Sequence, residues 1–75
     1  MASALPLVAG AEIVRALQRA GFEPHHRKGS HVTMKENAPP FRRVVVPMHD
    51  PVRRGTLRAI IRDAGLTVEE FVLLL

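Results

Sequence analysis

Two stretches of this 75-residue chain end in the same way, and together they limit what it can fold into. Over residues 10–20, Ile13, Ala16, Leu17 and Ala20 recur at the i, i+3, i+4, i+7 spacing of one buried helical stripe. Over residues 55–64, Leu57, Ile60, Ile61 and Ala64 make a second stripe. Each stretch closes on a glycine followed by a hydrophobic residue, Gly21-Phe22 and Gly65-Leu66. That pairing lets a helix end in the left-handed region and pack an apolar residue just behind its last turn. Helices this short gain most of their stability from burying the apolar face, so the segment between them must supply the surface.

That segment has the pattern of three short strands. The first runs from Phe22 to Lys28, and Pro24 confines it to a sheet edge or to a start at His25. Gly29-Ser30 turns the chain into a strand that begins Ser30-His31 and continues Val32-Thr33-Met34-Lys35. Side chains alternate along it, so Val32 and Met34 face the core while His31, Thr33 and Lys35 face water. Glu36 to Pro40, with two consecutive prolines, reads as a loop. Arg42-Arg43-Val44-Val45-Val46 is a β-branched third strand ending at Pro47. A loop from Met48 to Arg53 leads into the second helix, where Thr56 is the expected cap. Thr67-Val68-Glu69-Glu70 has the form of a capping box opening a last helical turn.

Residues 1–75 therefore read as one domain, with a lead-in over 1–8 and an apolar C-terminal turn over 68–75. The tail from Phe71 to Leu75 is too apolar to be free, and either closes the core or meets a partner. Two helices can cover only one face of so small a sheet. The expected class is α+β, an α-β-β-β-α order with both helices on one face of a three-stranded antiparallel sheet. Double-stranded RNA-binding domains have this layout and recognise RNA largely by shape and backbone contacts.

Charge is unevenly distributed along the chain. The net charge is +4, yet residues 25–62 hold nine Lys and Arg against Glu36 and Asp50. All four histidines, His25, His26, His31 and His49, fall in the same block. A basic centre of this kind favours a polyanion or an acidic protein partner. Aromatic residues are limited to three Phe, which argues against a single-strand reader that stacks bases on exposed rings. With no cysteine, disulfides and thiol chemistry are excluded. No apolar run approaches the roughly 18–20 residues of a transmembrane helix, and a cytoplasmic protein is expected. The histidines lack any His-x₃-His or cysteine-containing spacing, so no metal site and no cofactor are expected.

Ala20-Gly21-Phe22, Gly29-Ser30-His31, Val46-Pro47 with His49, Gly55-Thr56-Leu57-Arg58 and Ala64-Gly65-Leu66 occur in an order and spacing that resembles the HicA (YcfA-like) toxins of bacterial toxin–antitoxin pairs. The likeness runs from about Leu5 to the end of the chain. It implies an endoribonuclease that cuts messenger RNA, arrests growth and is held inactive by a HicB-type antitoxin. It also implies that the histidine of Gly-Ser-His, His31 here, is the catalytic residue. Homodimers and toxin–antitoxin hetero-oligomers are both compatible with the apolar tail.

The chemistry of these residues fits that implication. Imidazole exchanges protons near neutrality, and RNA carries its own nucleophile in the 2′-hydroxyl. His31 is thus the candidate general acid or base, with Arg27 and Lys28 as candidates to stabilise phosphate charge. Gly29 permits a turn that presents backbone N–H groups to a phosphate, and Lys35 adds a cation on the same strand face. Ser30 either donates to phosphate or stabilises the turn. His49, in a loop after Pro47, reads as structural, and only one of His25 and His26 can share the face of His31. Arg54, Arg58 and Arg62 are phosphate contacts or a solvated helix face. The alternative function is a non-catalytic RNA-binding or interaction module using the same basic face.

Overall fold

Apolar residues of the two longer helices share one buried core with the even-numbered residues Val32 and Met34, and the rest of the architecture follows from that core. The computed structural model describes residues 5–75. In chain order it contains α1 (Gly10–Arg19), β1 (Phe22–Lys28), β2 (His31–Glu36), β3 (Arg43–Pro47), α2 (Arg54–Asp63) and α3 (Val68–Leu73). The strands form one antiparallel sheet in the order β1-β2-β3, so β2 is central. The helices pack on one face, giving the fold of double-stranded RNA-binding domains.

The buried layer joins Ile13, Ala16 and Leu17 of α1 and Leu57, Ile60 and Ile61 of α2 to Val32, Met34, Val44 and Val46 of the sheet. No polar or charged residue is buried among the described residues. Met34 and Phe71 are both fully shielded; a large apolar side chain contributes roughly 1.5–3 kcal/mol on complete burial. Gly21 and Gly65 have φ of +94° and +73°, so both helices end in the left-handed region as their sequences require. Thr67 and Glu70 form the reciprocal cap of α3: Thr67 N–H donates to Glu70 Oε1 at 2.8 Å, and Glu70 N–H donates to Thr67 Oγ1 at 3.0 Å.

Three features differ from, or refine, the sequence reading. Thr56 does not cap α2; Arg53 occupies the cap position without a side-chain hydrogen bond, and Thr56 lies within the first turn. The helix begins earlier because Pro51 and Val52 already set the entry, with Val52 N–H bonded to Val8 O at 2.8 Å. The C-terminal tail divides: Phe71 closes the core at 0% exposure, while Leu73 is 85% exposed. Residues 1–4 of the lead-in lie outside the described residues, whereas Leu5 and Val8 are buried and Arg54 Nε donates to Leu5 O at 3.0 Å.

Candidate active site

The open face of the sheet is assembled by a β-bulge. Strict alternation from the buried Phe22 would place His26 and Lys28 on the helix side of β1 and Arg27 on the open side. The β1–β2 register is instead shifted between Pro24 and His26. The extra residue, His25, inverts the parity of everything after it. His26 therefore opposes Thr33, Lys28 opposes His31, and both lie on the open face, while Arg27 opposes Val32 on the helix-bearing face. Of the adjacent pair His25 and His26, it is His26 that shares the face of His31.

His31 is the first residue of β2, flanked by Lys28 on β1 and Pro47 on β3. The two-residue turn before it is held in place on both sides. Gly29 has φ of +58°, which glycine adopts without strain. Gly29 O accepts from Arg27 Nε at 3.2 Å, and Ser30 O accepts from Met48 N–H at 2.6 Å. That second bond extends the β2–β3 pairing past Pro47 and carries the following loop alongside His31. Ser30 thus supports the turn through its carbonyl, and its side chain is on an exposed residue.

The same loop delivers His49. Gly10 N–H, at the start of α1, donates to His49 O at 2.8 Å. This approach requires glycine, since a Cβ on Gly10 would collide with Pro47 O and come within 2.8 Å of Met48 Cα. The His49 and His31 rings end 6.4 Å apart between centroids, edge to face at 69°. Both are exposed. They share an open cleft of about 390 Å³ whose other walls are Pro47, Pro51, Val52, Arg53 and Thr56. Residues 31, 49, 53 and 56 are thus brought together by the strand register and the entry to α2.

The remaining site candidates fall elsewhere. Arg27 lines a separate depression with Val14, Val32 and Met48. Lys35 is four residues along β2 from His31, on the order of 13 Å at ~3.3 Å per residue. It opposes Glu23 and Arg43 and lines a different hollow with Glu36 and Phe41. Arg58 and Arg62 are exposed on α2, and Arg62 is paired with Asp63 at 3.4 Å. Among the described residues no three His, Asp or Glu side chains converge as a metal-binding group. No described helix is long and apolar enough to cross a membrane.

His49, which the sequence presents as a structural residue in a loop after Pro47, is instead beside His31. The pairing of Pro47 with His31 places a residue two further on beside the strand's open end, a long-range register that no sequence spacing shows.

A three-stranded sheet covered on one face by helices, with a basic open face and a cleft shared by two histidines at one end, has the layout of a double-stranded RNA-binding domain. Residues 10–66 match the family of HicA toxins of bacterial toxin–antitoxin systems. The chain belongs to that family. The matched span runs from the first residue of α1 to just past α2 and includes every residue of the cleft. Among curated proteins none matches the chain significantly.

Proposed function

We propose that this protein is a single-domain toxin that cleaves messenger RNA in the His31 cleft, and that an antitoxin of the HicB type restrains it. The observation that carries the reading is an exposed imidazole at the mouth of a cleft, with Lys28 directly across the strand pair. An exposed site accepts a polymer passing over it, which an enclosed pocket does not. The 2′-hydroxyl of RNA supplies the nucleophile, so the protein needs to move a proton and stabilise charge on the phosphoryl oxygens. His31 is the proton-transfer group; Lys28 and the N–H groups of the Gly29-Ser30 turn offer positive potential to the phosphate. Lys35, farther along the same face, holds the RNA strand rather than the scissile phosphate. Arg27 acts through the turn by its bond to Gly29 O. Action on messenger RNA places the working protein in the cytoplasm.

The reading is tested by incubating purified wild-type and His31→Ala protein with RNA in the presence of a chelator, alongside expression of both in cells. Cleavage and growth arrest by the wild type, and neither by the variant, are expected. Intact RNA after prolonged exposure to the wild-type protein, with salt-sensitive binding, identifies a binding module instead.

A further inference from the structure

We propose that His49 is the second catalytic residue, and that it works with His31 as an acid–base pair for in-line transesterification. The inference rests on the ribonuclease reading and deepens it. In-line displacement puts the attacking and leaving oxygens on opposite sides of phosphorus, so the group that takes a proton and the group that gives one must stand apart. At 6.4 Å between centroids the two imidazoles are too far apart to hydrogen-bond each other, yet they share one cleft. That gap holds a phosphoryl group with an imidazole in hydrogen-bond reach on either side. Arg53 and Thr56 line the same cleft from the α2 side and supply a cation and a hydroxyl for the non-bridging oxygens.

The placement of His49 is built in rather than incidental. Its carbonyl is held by Gly10 N–H, and the preceding residue is held by Ser30 O, so the backbone on which the imidazole stands is tied to both α1 and the catalytic hairpin. Neither tie uses the His49 side chain, which leaves the ring free for chemistry.

In the step itself, one imidazole removes the proton from the 2′-hydroxyl as O2′ bonds to phosphorus. The P–O5′ bond breaks, and O5′ leaves with the electron pair and takes a proton from the other imidazolium. The products are a 2′,3′-cyclic phosphate and a 5′-hydroxyl end. No water is consumed, and the two histidines finish with exchanged protonation states that solvent restores.

The test uses an RNA whose cleavage position has been mapped with wild-type protein, made again with sulfur as the bridging 5′ atom at that position. A thiolate leaves without protonation, so this substrate no longer needs the acid. On ordinary RNA, His49→Ala and His49→Gln are expected to cut at least about 100-fold more slowly than wild type. On the sulfur substrate, alanine variants of one histidine, and only one, regain a rate within about tenfold of wild type. Rescue of that kind cannot come from a misfolded protein. A His49→Ala rate within about threefold of wild type overturns the pair. So does equal impairment of both variants on both substrates, or products ending in 3′-hydroxyl and 5′-phosphate. If His31→Ala is inactive while His49→Ala is not, the ribonuclease reading stands and this inference falls. If wild-type protein cuts no RNA, both fall.

Discussion

The sheet is basic at both ends, and the two ends use that charge differently. At the Lys35 end, Arg42 is matched on the helix-bearing side, bonding Glu36 through both backbone and side chain with an ion pair at 3.3 Å, while Lys35 on the open face lies between Glu23 and Arg43. Arg42 also lies over Gly65, where an added Cβ would meet its guanidinium at 2.8 Å. These contacts hold the β2–β3 loop against the end of α2. At the His31 end, apart from the bond of Arg27 Nε to Gly29 O, the hydrogen bonds around the cleft are made between backbone groups, and the side chains of Lys28, His31, His49 and Arg53 stand on exposed residues. At one end a side-chain ion pair helps build the fold; at the other, backbone bonds do most of that work and the side chains are left exposed. Net charge over a segment does not separate these two cases, and hydrogen-bond accounting does.

The largest difference between the ends is expected from His31→Ala, which should lower RNA cleavage by about 10²–10⁴-fold without lowering the thermal midpoint. Thermal unfolding alongside a gel assay checks both halves of that statement. Gly10→Ala comes next, because its methyl group has no room against Pro47 and Met48. It should cost about 1–3 kcal/mol of stability and reduce cleavage by the folded protein, since the bond to His49 O is displaced.

Lysine truncations then compare the ends directly. Lys28→Ala should slow cleavage by about tenfold, the worth of one charge-assisted hydrogen bond. Lys35→Ala should weaken RNA binding by no more than about threefold and leave the rate at saturating RNA within the same margin. Equal effects of the two would erase the distinction. The smallest change is expected from Arg42→Ala, about 0.5–1 kcal/mol in denaturant unfolding with cleavage unaltered, as befits a partly exposed ion pair.

The parts of the fold governed by neighbouring residues were legible in the sequence. The apolar stripes of α1 and α2, the glycine stops at 21 and 65, the Thr67–Glu70 cap and the alternation along β2 all follow from spacings of four residues or fewer. The parts that were not legible depend on register. Pro24 points to an edge strand, and β1 is one, but it does not announce the bulge after it, which decides that Lys28 rather than Arg27 stands beside His31. Thr56 offers a good capping oxygen, but the loop entering α2 is fixed by its bond to Val8 before the threonine is reached. His49 comes to the site because β3 pairs with β2 in one particular register and α1 seats a glycine against the following loop. No local pattern in residues 47–53 carries that information.

The distinction between the ends is tested most directly by mapping where RNA binds. Amide and imidazole resonances of the wild-type protein would be followed by NMR while a 2′-O-methyl oligoribonucleotide, which the protein cannot cleave, is added. The expected result is that the largest shifts fall on Lys28, Gly29, His31, His49, Arg53 and Thr56, with smaller ones along Thr33 and Lys35. Shifts centred on Lys35, Glu36 and Arg42, with the two histidines unmoved, would contradict the placement of the site.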